Sequence, residues 1–138
     1  SDTVYWSGPN GFYANNFVTS LLNTTVTASG TYTVTVTDTN THCTSTANVT
    51  AIVNQTPSVP TVTVAGGPFC SGNPSQTLTL TSSVTGTKYN WFHGNPTTPL
   101  TNTYAADTTN PVTISPLSLS DSGKYYVSVT TNGCTSQL

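Results

Sequence analysis

Few residues in this 138-residue sequence carry groups that could do chemistry. They are three cysteines (Cys43, Cys70, Cys134), two histidines (His42, His93), four aspartates (Asp2, Asp38, Asp107, Asp121) and two lysines (Lys88, Lys124); Arg and Glu are absent. His42 adjoins Cys43, which suggests a thiol nucleophile beside its base. Neighbours on a strand point to opposite faces, however, and would not meet. His42 therefore reads as a loop residue, and His93 as a polar residue at the end of a strand. No serine sits in a Gly-x-Ser-x-Gly elbow. Scattered aspartates without any glutamate do not suggest the paired carboxylates of a glycosidase. Asp38-Thr39-Asn40 lacks the ligand count that Ca²⁺ needs, and the cysteines show no CxxC-like spacing for a metal. The expectation is a protein that is not an enzyme and uses no cofactor or metal.

The rest of the composition narrows the partners. Charged residues make up 4% of the chain, against roughly 25% in an average globular domain. A net charge of −2 is too small to steer a partner. Nucleic acid requires clustered Lys or Arg, and anionic membrane surfaces require the same, so neither partner is expected. Threonine fills the gap at roughly a quarter of the chain. It is β-branched and suits a pleated, half-wet strand surface while staying hydrated without charge. Aromatic residues at 9% and strong alternation argue against the disorder that a polar composition otherwise suggests. No run approaches the length of a membrane span. The opening Ser1-Asp2-Thr3-Val4-Tyr5-Trp6 reads as a strand and not as a signal peptide, so any targeting signal is expected upstream.

Alternation predicts the elements that must position these residues. Thr31–Thr37 puts Tyr32, Val34 and Val36 on one face and threonines on the other. Lys124–Thr130 does the same with Tyr125, Val127 and Val129, and Thr61–Val64 and Thr77–Thr81 follow. These are half-buried antiparallel strands. Gly8-Pro9-Asn10-Gly11, Gly66-Gly67-Pro68 and Gly94-Asn95-Pro96 supply turns between them. Many short strands with Gly/Pro turns predict a sandwich or barrel.

An internal repeat sets the organisation. Gly30-Thr31-Tyr32-Thr33-Val34-Thr35-Val36-Thr37 aligns with Gly123-Lys124-Tyr125-Tyr126-Val127-Ser128-Val129-Thr130, and each copy continues to Cys-Thr-Ser, at Cys43 and Cys134. Upstream, Val4-Tyr5-Trp6 matches Tyr89-Asn90-Trp91. Asn54–Pro60 carries prolines that resist helix and sheet interior alike. The division expected is residues 1–54 as the C-terminal part of one repeat, 55–60 as linker and 61–138 as a nearly complete second repeat. The first copy lacks the strands that precede the Trp in the second, and the second stops in its last strand. The expectation is a segment of a longer array.

The run Leu117-Ser118-Leu119-Ser120-Asp121-Ser122-Gly123-Lys124-Tyr125 resembles the immunoglobulin pattern of Leu, then Asp-x-Gly-x-Tyr entering strand F. That resemblance implies tandem immunoglobulin-like antiparallel β-sandwiches. Tyr125 would bond back to the corner backbone, and Trp91 would be the buried strand C indole. Val127 and Leu80 (or Leu78) would stand where that fold has its core cysteines. Tyr32 and Trp6 are the corresponding core residues of the first copy, whose corner is weaker, with Ala28 and Ser29 where the acid would be.

A narrower resemblance rests on Pro60-Thr61-Val62-Thr63-Val64, Phe69-Cys70-Ser71-Gly72, Leu78-x-Leu80, Trp91 and Asn132-Gly133-Cys134. Together these resemble the immunoglobulin-like repeats of very large surface proteins in gliding and biomass-degrading Bacteroidota. The resemblance implies secretion, an extracellular or cell-surface location, and a structural or adhesive role in a stalk or filament. Neighbouring repeats would be the partners, with surface glycans as candidates. The equivalence of Cys43 and Cys134 points to a Cys70–Cys134 disulfide within the second copy, leaving Cys43 without its partner; a bridge between repeats is the alternative. A loop of that length contributes on the order of 4 kcal/mol. Asp2-Thr3-Val4 and Asp107-Thr108-Thr109 resemble the O-glycosylation acceptors of that phylum, at Thr3 and Thr108. Two other functions stay open. One is a carbohydrate-binding module of a secreted hydrolase, with Trp6, Tyr13, Phe17, Phe92 and Tyr104 as candidate aromatics. The other is a subunit of an extracellular polymer completed by strand exchange.

Overall fold

The alternating segments fold as strands in the computed structural model, which describes residues 2–73, 76–97 and 109–138. The described residues form only strands and single turns of 3-10 helix. Two compact units divide the chain, Ser1–Gln55 and Thr56–Leu138.

Unit 1 holds β1 (Asp2–Ser7), β2 (Tyr13–Ala14), β3 (Gly30–Asp38) and β4 (Thr44–Ala51). They form one antiparallel sheet in the order β2-β1-β3-β4. Val4 lies opposite Val36 and Trp6 opposite Val34, while Val34 faces Ala47 and Tyr32 faces Val49 across β4. Alternation therefore sorts the sheet into an apolar face (Val4, Trp6, Tyr32, Val34, Val36) and a hydroxyl-rich face (Thr3, Tyr5, Ser7, Thr33, Thr35). Val4 and Tyr32 are buried. Tyr32 packs edge-on against Phe12, ring centroids 5.4 Å apart, and lies against Gly8, where a side chain would not fit.

Unit 2 holds β5 (Val62–Ala65), β6 (Leu78–Ser82), β7 (Lys88–His93), β8 (Val112–Ile114), β9 (Tyr125–Thr131) and β10 (Cys134–Thr135). Two antiparallel three-stranded sheets result, β5-β6-β8 and β10-β9-β7. Leu78, Leu80, Val112 and Ile114 from the first meet Tyr89, Trp91, Val127 and Val129 from the second in one buried cluster, closed by Leu117. Inner faces that interdigitate in this way make a sandwich. The Thr-rich alternation is what leaves each outer face wet.

The two units differ in one respect. Among its described residues unit 1 has a single sheet. Residues 15–29, which follow β2, are irregular and end in a turn of 3-10 helix at Val26–Ala28. They are rich in Asn, Ser and Thr and lack the continuous alternation from which β5, β6 and β8 are built.

Candidate functional site

The immunoglobulin-type corner is built twice. Leu119–Asp121 forms one turn of 3-10 helix. The Ser118 N–H and hydroxyl both donate to the Asp121 carboxylate, at 2.8 and 2.9 Å. Tyr125 donates its hydroxyl to the Asp121 carbonyl at 2.6 Å. Val26–Ala28 makes the equivalent turn in unit 1, and Tyr32 donates to the Ala28 carbonyl at 2.7 Å. Alanine supplies no carboxylate there, so the unit 1 turn lacks that cap. The strands repeat in register as well: Trp91 faces Val127 and Tyr89 faces Val129, as Trp6 faces Val34 and Val4 faces Val36.

Burial separates the expected core residues. Trp91, Leu80 and Val127 are fully enclosed and Tyr32 is buried. Tyr125 and Trp6 are half-buried. Trp91 donates its indole N–H to the Thr109 carbonyl at 2.9 Å; Trp6 donates to the Asn16 carbonyl at 3.1 Å. Trp6 is thus less enclosed than its counterpart.

Burial, reinforced by the Asp121 charge, pushes the Tyr125 phenol up to about 12. An unfolded tyrosine titrates near pH ~10. Between those values the unfolded chain releases a proton that the folded chain keeps, so stability holds up to about pH 10 and falls as pH rises towards 12. Urea midpoints followed by circular dichroism from pH 8 to about 12 should show that decline, and Tyr125→Phe should flatten it.

The cysteines do not form the expected Cys70–Cys134 bridge. Gly72 donates to the Leu117 carbonyl, which holds the Cys70 segment at the corner end of unit 2. Cys134 pairs with Thr131 at the opposite end of β9. That strand has seven residues, which at about 3.3 Å each separates the ends by roughly 20 Å. Bridged Cα atoms must lie within about 7 Å. Cys43 is exposed beside the β3–β4 turn.

An open depression of about 270 Å³ at the corner is lined by Phe69, Leu78, Leu117 and Leu119, with Cys70 and Asp121 on its wall. Asp121 is committed to Ser118, and no histidine lines the depression. His93 stacks on Tyr125 at 4.6 Å. Asp38, read as an isolated acidic residue, accepts from the Asn40 N–H at 2.8 Å. That bond, with one from the Thr41 hydroxyl, holds its carboxyl below the usual range. Among the described residues no three His, Cys, Asp or Glu side chains converge as a metal site, and no helix is long and apolar enough to cross a membrane.

The remaining feature is aromatic. Tyr5 and Tyr13 stack on the hydroxyl-rich face of unit 1, centroids 6.1 Å apart and planes 23° from parallel. Both are exposed, at 43% and 67%. Sequence reasoning singled out Tyr13 but missed Tyr5 and chose Trp6 in its place. Alternation held the signal, since Tyr5 shares its face with Thr3 and Ser7 whereas Trp6 shares its face with Val4. Phe17 is exposed, and Phe92 is half-buried on β7 opposite Tyr126. Thr3 is exposed on β1. Tyr104 and Thr108 lie outside the described residues.

Comparison with known proteins agrees with the fold. The sequence model of the family described as "Ig-like domain CHU_C associated" matches residues 57–138, more than half of the chain. Among solved structures, the crystal structure of murine CEACAM1b is similar, with a TM-score of 0.55 and 18% identity over 98% of this chain and 82% of that one. At that identity the likeness is one of fold, all-β and immunoglobulin-like. No curated protein sequence matches.

Proposed function

Because the chain belongs to the family of Ig-like, CHU_C-associated domains, we propose that it is a non-catalytic structural and adhesive segment of a long extracellular or cell-surface protein. In this reading residues 1–54 are the C-terminal part of one repeat, 55–60 the linker and 61–138 a nearly complete second repeat. The observation that carries it is the duplicated register. Unrelated segments would not share a Trp–Val rung, a corner tyrosine bonded four residues back and a glycine at the same place before it; repeats of one array do. The resemblance to repeats of large Bacteroidota surface proteins supports the extracellular location. Nearly uncharged, Thr-rich outer faces support close association between modules, because neighbouring repeats then do not repel. With Cys70 and Cys134 at opposite ends of unit 2, a bridge from Cys70 to a cysteine of a neighbouring repeat is the pairing this reading retains.

One observation favours a second reading. Unit 1 supplies no second sheet among its described residues for its apolar face, as a subunit completed by strands from another polypeptide would. Denaturing, reducing electrophoresis of the native protein, blotted with an antibody to residues 57–138, separates the two. A band many times 14.4 kDa is the expected result. A band near 14.4 kDa would sink the covalent array and leave the strand-exchanged polymer.

A further inference from the structure

We infer that the hydroxyl-rich face of unit 1 is a platform for a neutral polysaccharide, with Tyr5 and Tyr13 as its stacking surface. The inference deepens the adhesive part of the function above by giving it a ligand class.

Cross-strand register lays out the face. Tyr13, Ser7, Thr33 and Asn48 form one row across β2, β1, β3 and β4, and Tyr5, Thr35 and Thr46 form the next across β1, β3 and β4. Each row begins in an exposed phenol and runs into hydroxyls or an amide, of which Thr35 is buried. The two rings are close to parallel and are joined across neighbouring strands, so one rigid sheet holds them. A sugar ring presents the same two characters. Its C–H faces are apolar and pack on an aromatic face, while its hydroxyl rim exchanges hydrogen bonds with Thr, Ser and Asn.

Charge selects among glycans. Unit 1 contains no Lys or Arg. Its only carboxylates, Asp2 and Asp38, lie directly opposite each other at one end of the same sheet. Both are in phase with Val4 and Val36 and so belong to the other face; an acidic polysaccharide would meet no cation on the hydroxyl-rich face, whereas a neutral one needs none. The corresponding face of unit 2 places Phe92 opposite Tyr126, with Asn90 opposite Ser128 in the same sheet. The aromatic-plus-hydroxyl arrangement thus recurs on the equivalent face. A purely structural cross-strand pair would stabilise the sheet equally well with its hydroxyl-rich neighbours replaced, which gives the test its second arm.

The test is affinity electrophoresis of the 138-residue chain through native gels containing hydroxyethylcellulose, glucomannan, arabinoxylan or dextran, with alginate as the acidic control. Retardation by at least one neutral polymer and none by alginate is expected. Tyr13→Ala, at a residue 67% exposed, should keep the circular dichroism spectrum and weaken that retardation about tenfold or more. Tyr13→Phe should retain it, and Asn48→Ala should weaken it without changing the unfolding midpoint. Free passage through all four neutral gels, equal retardation by alginate, or retardation unchanged in Tyr13→Ala would each overturn the inference. None of these outcomes alters the size of the native polypeptide, so failure here and failure of the array reading are distinguishable.

Discussion

Trp91→Ala should abolish the cooperative unfolding of unit 2 or lower its stability by about 3–5 kcal/mol. The indole is 1% exposed and lies between the sheets, among Leu80, Val112, Val127 and Val129. Truncation removes its packing from both layers at once and also its 2.9 Å hydrogen bond to the Thr109 carbonyl. A domain of this size is stabilised by only about 5–15 kcal/mol, often at the lower end, so the loss takes most of it. Urea denaturation followed by far-ultraviolet circular dichroism measures the change without relying on the fluorescence of the deleted residue. Trp6→Ala in unit 1 serves as the contrast: that indole is half-buried, and its removal should cost clearly less. Equal losses at the two positions would show that unit 1 is enclosed by a second layer as fully as unit 2.

Gly123→Ala should destabilise unit 2 by roughly 2 kcal/mol or more. Gly123 has φ 154°, backbone that side chains rarely adopt. A Cβ there would also stand 2.8 Å from His93 Nε2. His93 cannot retreat freely, because it stacks on Tyr125 at 4.6 Å, and Tyr125 is anchored to the Asp121 carbonyl. The strain would therefore spread into the corner. Gly30 repeats the arrangement, with φ 146° and a Cβ position 2.6 Å from Pro9 Cγ. Thermal unfolding of Gly123→Ala beside Gly72→Ala checks the prediction. Gly72 also has positive φ but nothing within 4 Å of its Cβ position, so it reports backbone strain alone, and a midpoint for Gly123→Ala no lower than that control would refute the steric part.

These corners explain why so neutral a chain can still specify one structure. With charges at 4% of positions, ion pairs have little part in setting register. Register comes instead from the period of two, which a one-residue slip would invert, and from the glycine and tyrosine that lock the entry to β3 and β9. Asp121 and its Ser118 donors add a local cap in unit 2 that unit 1 lacks at Ala28. The same scarcity of charge defines the ligand class inferred for the outer face of unit 1.

What could be read from sequence was whatever a local period encodes. Alternation in Thr31–Thr37 and Lys124–Thr130 was enough for strands with one apolar face, and the Gly-x-Tyr repeat was enough for a duplicated corner and an immunoglobulin-like, all-β fold. Leu80 and Val127 were legible as core because each sits in phase with its strand's apolar face, and Trp91 through its place in the immunoglobulin-like pattern. What only the tertiary structure decided was distance along and between strands. Cys70 and Cys134 look like partners in a repeat alignment, yet β9 stands between them. Trp6 looks like the equal of Trp91, yet it is less enclosed. Tyr5 and Tyr13 are far enough apart in sequence to seem unrelated, and the two-residue strand β2, too short to show a period, is what places their rings together. Periodicity states which way a side chain points; only the folded chain states what it points at.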